Sequence, residues 1–388
     1  MTGPKAETND AGAPGRASGG TPGTPRSAPR FAERPPLRLL QVMLSTQEGG
    51  AETFFEKLAF AFDARGVAQR LVVEPFPARE ARLRELKHAK VAPRRFGGSG
   101  RWAAPRWLRR QIADFRPTAV LTWMNRASRR LPAHLPCPAV GRIGGYYPLK
   151  HYRRCDHLVG ITPDLVRHLT DGGWPADRAT LIPNFGETPE PVVDPIAVRA
   201  ALRGELGVPE RAKLLVSLGR LHEVKAHDTS LRALAELPGV HLMIAGTGPL
   251  EAELRGLAGE LGVADRTHFL GWRRDAQNLF AAADACLFPS RYEPNGTVVM
   301  EAWAHGVPLV AAAAKGPAWL VEPGENGLLF PIDDVAALVG QLRSVLNDPA
   351  RAASLVAGGR DTFDQGFTRD RVVDAYLGLF ERLRAAGG

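Results

Sequence analysis

Short apolar runs alternate with amphipathic helical stretches along this chain, and that alternation limits the possible folds more than any other feature. The first series opens with an apolar run at 37–44, a glycine turn, and a helix from about 51 to 65 with Phe54, Phe55 and Leu58 on one face. Further strands are predicted at 71–73, 118–123, 140–144, 158–161 and 181–184. Such alternation predicts a parallel sheet covered by helices on both faces.

A second series begins near residue 213, after a segment at 187–197 that is rich in Pro, Glu and Val and is typical of an interdomain linker. Its predicted strands are 214–219, 241–245, 268–270, 285–288 and 307–311, and its predicted helices are 226–237, 249–262, 275–283 and 297–305. We therefore predict an α/β protein with two doubly wound Rossmann-like domains that face each other. Ligand is expected at the carboxyl ends of the strands.

Composition and charge narrow the possible classes of protein. The first 36 residues are rich in small residues and Pro and lack an apolar core of a signal peptide, so we predict a disordered tail there. Three cysteines in no metal-binding spacing favour a reducing cytoplasm without a disulfide framework or a zinc site. The longest uncharged apolar stretches are shorter than the roughly 20 residues of a membrane span.

The net charge of +9 is unevenly distributed. Residues 38–186 hold 25 Lys or Arg against 12 Asp or Glu, whereas residues 187–388 hold 20 against 26. Within the first half, the surplus is concentrated at 79–116, with 12 basic residues against 3 acidic ones. A basic first domain and a mildly acidic second one indicate different partners for the two domains.

The segment 285–301 joins a strand, a turn and a helix around two carboxylates. The apolar run 285–288 predicts a buried strand, Pro294, Asn295 and Gly296 predict a turn, and Thr297 starts a helix. Glu293 precedes that helix and Glu301 lies within it. Free N–H groups at a helix N-terminus bind anions, so we expect a ligand with hydroxyls on two sides of a phosphate, such as a nucleotide sugar.

Other polar residues also follow predicted strands. Arg220 and Lys225 come after the strand 214–219, where two cations could neutralise a departing diphosphate without a metal, or could be ordinary solvated side chains. Gly49 and Gly50 follow the first strand, where they could bring backbone close to a phosphate or form a plain turn. The pair of glycines at 246 and 248 is an incomplete dinucleotide motif and favours a simple strand-to-helix turn.

The helix predicted at 102–115 allows two interpretations. Trp107, Leu108, Ile112 and Phe115 lie near one face, with arginines close by, so the helix could lie on an anionic membrane or pack in the core before the next strand. The core position is favoured by the pattern. In either case the surrounding charge favours an anionic lipid or a phosphorylated acceptor.

Several catalytic classes lack their motifs in this sequence. The histidines form no metal-binding pattern, and neither a nucleophile elbow nor a phosphate-binding Walker loop occurs.

Six motifs in order resemble glycosyltransferase family 4, the group 1 retaining glycosyltransferases of GT-B fold. The resemblance covers about 37–380 and is strongest from 214 to 330. Its motifs are Gly219–Arg220 with Lys225, the segments 244–249 and 269–272, Glu293 through Glu301, the segment 301–310, and the segment 324–329. In the first half, the segments 49–52 and 182–184 are similar to the early glycine loop and the strand that ends the first domain of the family.

The resemblance implies a role for each matching residue. Arg220 and Lys225 hold the donor diphosphate as it leaves, Glu293 contacts the transferred sugar, and Glu301 binds the ribose hydroxyls. Donor oxygens also meet the backbone of the helix N-terminus, at Asn295, Gly296, Thr297 and Val298. The base lies near Gly271 and Trp272, and Gly49 and Gly50 complete the pocket from the first domain.

The resemblance also implies a reaction and a domain arrangement. The sugar is transferred with retention at its anomeric carbon and without a metal ion or other cofactor. The expected domains are an acceptor-side domain at 37–190, a donor domain at 198–365, and a C-terminal helix at 366–388 that crosses back to the first domain.

The chain departs from the family at one point. Many members carry a histidine on a late strand of the first domain, but the segment 140–147 has none, so glycine backbone is expected to line that site. The run 142–147, with Lys150 and Tyr152, is similar to a subgroup associated with lipopolysaccharide or other cell-envelope glycans. The expected partners are a nucleotide sugar, a glycan or glycolipid acceptor, and the anionic inner face of the plasma membrane, with no specific nucleic acid.

Two functions of other classes remain open from the sequence. Sugar-nucleotide epimerases are also built on GT-B sheets. If the chain is such an epimerase, it should isomerise a nucleotide sugar without an acceptor. The basic first half could instead be a module that binds anionic surfaces or nucleic acid, although no nucleic-acid-binding motif occurs.

Overall fold

A computed structural model describes residues 36–47, 49–96, 100–187 and 194–386. Both predicted sheets lie within one compact unit that starts at Leu37. The tail predicted to be disordered lies outside the described residues except for Pro36, and so do residues 188–193 of the predicted linker.

The first half forms a seven-stranded parallel sheet with the spatial order β3-β2-β1-β4-β5-β6-β7. Its central strands are buried on both faces, and most of their side chains are apolar. The strands are β1 (Arg38–Met43), β2 (Ala68–Val73), β3 (Ala89–Pro93), β4 (Ala119–Trp123), β5 (Ala139–Ile143), β6 (His157–Gly160) and β7 (Ala179–Leu181).

Helices cover both faces of this sheet, as parallel strands require. They are α1 (Gly50–Ala64), α2 (Pro77–Leu83), α3 (Gly100–Phe115), α4 (Met124–Ser128) and α5 (Pro163–Asp171). Helix α3 packs Leu108, Ile112 and Phe115 into the core beneath the sheet. Its apolar face is therefore a core face, as the sequence pattern favoured.

The second half forms a six-stranded parallel sheet in the order β10-β9-β8-β11-β12-β13. The strands are β8 (Lys213–Leu218), β9 (Val240–Ala245), β10 (Thr267–Gly271), β11 (Ala285–Phe288), β12 (Leu309–Ala312) and β13 (Leu328–Phe330). The helices are α6 (Pro195–Glu205), α7 (His227–Ala235), α8 (Glu251–Glu260), α9 (Ala276–Ala282), α10 (Thr297–Ala304), α11 (Lys315–Leu320), α12 (Val335–Leu346) and α13 (Pro349–Gly366). The predicted α/β fold with two doubly wound parallel sheets is confirmed.

The last helix, α14 (Arg369–Ala386), belongs to the core of the first half. Its Tyr376 and Phe380 rings lie 6.1 and 6.3 Å from the ring of Phe62 on α1. The chain therefore returns to the first sheet after it has completed the second one.

Each sheet reverses its strand order at one place, and ligands of such sheets bind in the crevice outside the carboxyl ends at that place. The reversal falls between β1 and β4 in the first sheet and between β8 and β11 in the second. The segments that follow these four strands carry Gly49, Arg126 (in α4), Arg220 and Glu293.

The structure differs from the sequence prediction at one strand that was missed and at several boundaries, among them those of α6 and β7. Strand β3 was not predicted, because it is a partly exposed edge strand that contains Lys90 and Pro93. Helix α6 begins at Pro195, inside the segment predicted as a linker. Strand β7 ends at Leu181, so residues 182–184 follow the strand instead of forming it.

None of the helices in the described ranges combines the length and the apolar character that crossing a membrane requires.

Candidate active site

Lys225 and Glu293 form an ion pair where the loops after β8 and β11 meet. The Lys225 ammonium Nζ lies 2.7 Å from Glu293 Oε2, and the two side chains are 19% and 13% exposed. The Lys225 ammonium also lies 5.4 Å from the centre of the Phe288 ring. A partly buried charge pair at the carboxyl edge of a parallel sheet places a fixed cation beside the crevice where ligands bind.

Glu293 also closes the turn before α10. Its Oε1 accepts from the backbone N–H groups of Asn295 at 3.2 Å and Gly296 at 3.1 Å. The resemblance implies that the backbone from Asn295 to Val298 meets donor oxygens; Glu293 occupies the N–H groups of Asn295 and Gly296. In the described structure the N–H groups of Thr297 and Val298, in the first turn of α10, have no acceptor and can meet an anion.

Two glycines allow the turn to pack closely. Gly296 has a φ of 74°, and a Cβ there would lie 2.7 Å from Leu320 Cδ1. Gly316, which the sequence analysis missed, donates its N–H to the Glu293 carbonyl at 2.7 Å. A Cβ at Gly316 would lie 2.8 Å from that same carbonyl oxygen, so only glycine fits.

The glycines at the ends of β8 and β9 serve the same purpose. A Cβ at Gly246 would lie 1.9 Å from the Gly219 carbonyl oxygen, and one at Gly248 would lie 2.2 Å from the Leu221 carbonyl oxygen. A Cβ at Gly219 would lie 3.3 Å from Lys225 Cδ. These glycines bring the loop after β8 close to its neighbour and leave room for the Lys225 side chain.

Arg291, which the sequence analysis also missed, connects the two loops. Its guanidinium forms a two-point pair with Asp228, with contacts of 3.0 and 2.7 Å, and reaches Asp333 at 2.8 Å. Its backbone N–H donates to the Val224 carbonyl at 2.9 Å. These carboxylates raise the pKa of Arg291. Arg291 therefore fixes the turn that carries Lys225 against the loop that carries Glu293, although no local sequence pattern marks it.

The buried His227 ring contacts the backbone of the loop after β8. The ring lies 3.3 Å from the Gly219 carbonyl and 3.4 Å from the Ser217 hydroxyl. Burial lowers the pKa of His227 to about 4, so the ring is neutral at pH 7. A neutral ring can donate one N–H to the Gly219 carbonyl and accept from Ser217. The residue before it, Ala226, has a φ of 52°, a backbone conformation that is strained for alanine.

Glu301 is the partly buried carboxylate on α10. Burial, with a smaller effect of Glu187, raises its pKa to about 6, although Lys57 acts in the opposite direction. In the described part of the chain no hydrogen bond to its carboxylate is found. A carboxylate with unused acceptor sites in this position suits a ligand with hydroxyl groups.

The other predicted donor residues occupy the same edge. The Arg220 side chain is exposed and has no ion pair within the described residues, so it is available to an anion. Gly271 ends β10 with a φ of 64° and accepts the Gly246 N–H at 2.8 Å. Trp272 follows it with 74% of its surface exposed, although most tryptophans are largely buried.

Gly49 and Gly50 lie at the start of α1, after β1. A Cβ at Gly49 would lie 3.0 Å from Glu52 Oε2, whereas one at Gly50 would meet nothing within 4 Å. The buried Arg79 donates to the Ser45 and Gln47 carbonyls at 2.7 and 2.6 Å and so fixes the loop before the glycines. The sequence analysis counted Arg79 only as part of the basic surplus.

The segment without the family histidine contains a buried arginine. Arg142 on β5 donates to the Asn184 amide oxygen, and its guanidinium carbon lies 4.7 and 4.6 Å from the ring centres of Phe54 and Trp123. Burial lowers its pKa. Gly144 and Gly145 follow β5, and Tyr146 in the same loop meets Lys315 from the second half at 3.3 Å.

A search of the described residues finds no group of three or more His, Cys, Asp or Glu side chains that could hold a metal ion. The expectation of a reaction without a metal stays a prediction.

Comparison with known proteins identifies the family. The profile of the family described as "Glycosyl transferases group 1" matches residues 198–362. The lipopolysaccharide core biosynthesis glycosyltransferase LpsD of Rhizobium meliloti (strain 1021) is 33% identical over 354 residues, which cover 89% of this chain and 98% of LpsD. LpsE of the same organism, described in the same words, is 32% identical over 336 residues, covering 86% of this chain and 96% of LpsE.

The fold is also that of solved glycosyltransferases. The structure of Anabaena Alr3699/HepE in complex with UDP and glucose matches with a TM-score of 0.73 at 21% identity, covering 89% of this chain and 99% of that one. The two-domain GT-B architecture predicted from the motifs is thereby confirmed. From its relatives and its architecture, the chain belongs to the group 1 glycosyltransferases.

Proposed function

We propose that the chain is a retaining glycosyltransferase that moves a hexose from a nucleotide-sugar donor to a cell-envelope glycan or lipid-linked acceptor, of the lipopolysaccharide core type, without a metal ion. LpsD and LpsE match nearly the whole chain, and their names support the acceptor class. The complex of HepE with UDP and glucose supports a nucleotide-sugar donor.

The Lys225–Glu293 pair is the observation that carries the proposal. A leaving diphosphate gains negative charge as its bond to the anomeric carbon breaks, and a fixed cation stabilises that charge most where little water is present. Lys225 is 19% exposed and is held by a carboxylate at 2.7 Å, so it meets both conditions. Arg220 adds a second cation, and the N–H groups of Thr297 and Val298 point the positive ends of their dipoles at the same place.

Glu293 has a positioning role in this proposal. Its two oxygens accept from Lys225, Asn295 and Gly296, which leaves it poorly suited to attack carbon or to move a proton. It orients the cation and presents its remaining acceptor capacity to a sugar hydroxyl. Glu301 accepts from ribose hydroxyls, and the carboxylate form that does so predominates above about pH 6.

Substitution of the pair tests the donor site. We expect Lys225→Ala and Glu293→Ala each to lower the rate of sugar transfer by roughly 100-fold or more, because charge stabilisation at the leaving group is lost. The rate is measured with a panel of nucleotide-sugar donors after thermal shift has identified the donor that binds. Lys213→Ala is the matched control, since Lys213 lies at the opposite end of β8.

Two results would contradict the proposal. Transfer that survives both substitutions would show that the donor site lies elsewhere. Isomerised nucleotide sugar from labelled donor alone, without acceptor, would show an epimerase instead. The cytoplasmic location and the contact with the inner membrane face stay predictions, which fractionation of cells that express the chain would test.

A further inference from the structure

A cavity of about 700 Å³ in the first half is lined almost entirely by cations. Of the eleven lining residues in the described part of the chain, eight are Arg or Lys, one is His151, and none is Asp or Glu. Helix α3 supplies Arg106 and Arg109, helix α4 and the turn after it supply Arg126, Arg129 and Arg130, and the segment 150–154 supplies the rest. We call this cavity the arginine pocket.

Part of the arginine pocket lies at the carboxyl edge of the first sheet, where Arg126 pairs with Glu74 directly after β2. Helix α4 follows β4 directly, and the segment 150–154 lies in the loop after β5. All pairs of this sheet are parallel, so these loops leave the same edge as the loop that carries Gly49. Tyr146, in the loop after β5, reaches Lys315 of the second half. The two segments that supply Arg126 and the cations at 150–154 therefore begin on the side of the first domain that faces the candidate donor site.

The positive charges in the pocket are almost without acidic partners. Within the described residues only Arg126 has an acidic partner, the buried Glu74 at 2.9 Å. Arg154 is held by the Leu131 carbonyl, while the Nη1 atom of Arg130 is buried without a hydrogen-bond partner. Eight like charges share one carboxylate, which disfavours the empty pocket and favours an anion within it.

The titration of two groups reflects this repulsion. The pKa of Arg130 is lowered, first by burial and then by Arg126, with a smaller contribution from Arg129. The pKa of His151 is lowered by the same kinds of cause, burial first and then Arg129 and Lys150. A bound anion would reverse the electrostatic part of both effects.

The backbone that presents these arginines is strained. Met124, at the junction of β4 and α4, has a φ of 60°. This conformation is strained for a residue other than glycine, and such strain clusters at functional sites. The strained junction starts α4 directly after β4, and Arg126 and Arg129 follow in α4 and just after it.

The pocket suits a discrete phosphate better than a membrane surface. It is concave, and none of the exposed large hydrophobic side chains lines it. The apolar face of α3, which a membrane-bound helix would expose, is buried in the core through Leu108 and Ile112. Guanidinium groups bind both phosphate and carboxylate oxygens through two parallel hydrogen bonds. A phosphate monoester carries a charge of about −1.5 to −2 at pH 7, more than a carboxylate does, so clustered cations hold it more strongly.

We propose that the arginine pocket binds phosphate groups carried by the acceptor saccharide, so that the enzyme selects phosphorylated acceptors. This inference rests on the proposed function for the meaning of "acceptor", but the site can be tested without sugar transfer.

The test uses inositol hexakisphosphate as a phosphate-rich probe and mellitate as a probe with the same number of carboxylates. Binding is measured by calorimetry in the presence of a saturating nucleoside diphosphate, which occupies the candidate donor site. We expect the phosphate probe to bind, and the double variant Arg129→Gln/Arg153→Gln to weaken that binding by about tenfold or more for each arginine removed. Both arginines are exposed, so their loss should leave the fold intact.

Three controls separate the possible causes. Arg351→Gln/Arg371→Gln removes two exposed arginines from the second half and α14, and should leave binding of the phosphate probe unchanged. Nucleotide affinity should be unchanged in the Arg129/Arg153 variant. Lys225→Ala should lose nucleotide binding but retain binding of the phosphate probe, so failure of the donor site and failure of the arginine pocket give different results.

The inference is overturned by any of three outcomes. The phosphate probe binds the double variant as tightly as the wild type; mellitate binds as tightly as the phosphate probe; or the double variant loses sedimentation with phosphatidylglycerol vesicles while its affinity for the phosphate probe stays the same. The last result would make the surface a membrane-binding site.

Discussion

Gly246 and Gly248 let the loops after β8 and β9 pack closely at the candidate site. The structure gives the physical reason for them, which is the contact with the backbone at Gly219 and Leu221. That contact joins residues from different loops, so no local pattern could predict it.

We predict that Gly246→Ala disrupts the candidate site. Its Cβ would lie 1.9 Å from the Gly219 carbonyl oxygen, and backbone must move to relieve the overlap. We expect a loss of about 1–3 kcal/mol in the free energy of unfolding, measured with urea, and a lower nucleotide affinity because the Lys225 loop moves.

Gly256→Ala is the matched control for this substitution. A Cβ at Gly256, within α8, would meet nothing within 4 Å. Alanine there should stabilise the helix by about 0.4–1 kcal/mol. Equal effects of the two substitutions would show that the contact at Gly246 does not matter.

Buried arginines were the largest error at the residue scale. The sequence counted Arg79 and Arg142 among charges for an external partner, but Arg79 binds loop carbonyls and Arg142 lies between aromatic rings. Most of their partners are separated from them by more than 30 residues in the chain; the exceptions are Glu56 and Phe76 beside Arg79 and Trp123 beside Arg142. A charge surplus is therefore a property of a domain and does not assign a role to each arginine.

At the scale of elements, burial decides how well a strand can be predicted. Strand β11 is apolar and buried at every position, and its predicted limits, 285–288, agree with the structure. Strand β3, at the edge of its sheet, contains a lysine and a proline and was missed. The candidate site lies in loops after buried strands, which is why Lys225 and Glu293 could be selected from the sequence while their mutual contact could not.

We predict that Arg291→Gln weakens the contact between the loops after β8 and β11. The variant loses the pairs to Asp228 and Asp333 and leaves their carboxylates without the cation. We expect a loss of about 1–3 kcal/mol in the free energy of unfolding and a nucleotide Kd that rises about tenfold, because Lys225 is no longer fixed. Calorimetric titration with the nucleotide measures the second effect.

A surface pair provides the control for Arg291. Arg84 lies 3.5 Å from Glu80 and is 71% exposed. Arg84→Gln should change stability by less than about 0.5 kcal/mol and leave nucleotide affinity unchanged. If Arg291→Gln lowered stability but left nucleotide affinity unchanged, the proposed coupling between the loops would be wrong.

For the whole molecule, position in the sequence does not decide which core a helix joins. Helix α14 comes last in the sequence, yet it packs with α1 in the core of the first half. The Lys225–Glu293 pair lies at the carboxyl edge of the second sheet. Arg126 of the arginine pocket lies at the carboxyl edge of the first sheet. Periodicity alone can identify such a helix but not the sheet that it covers, since its apolar face fits either core.

We predict that Phe380→Ala destabilises the first half of the molecule. Phe380 is fully buried beside Phe62 and Tyr376, and its truncation would leave a cavity where α14 meets α1. The expected loss is about 3–5 kcal/mol in the free energy of unfolding. Amide hydrogen exchange should accelerate across α1 and β1 while α8 in the second half keeps its protection, because the lost contacts lie in the first core only. Phe60→Ala on α1 is the control, since Phe60 is 38% exposed and should cost no more than about 1 kcal/mol. Exchange that accelerates equally in α1 and α8 would show instead that the two halves unfold as a single unit, with α14 as the element that couples them.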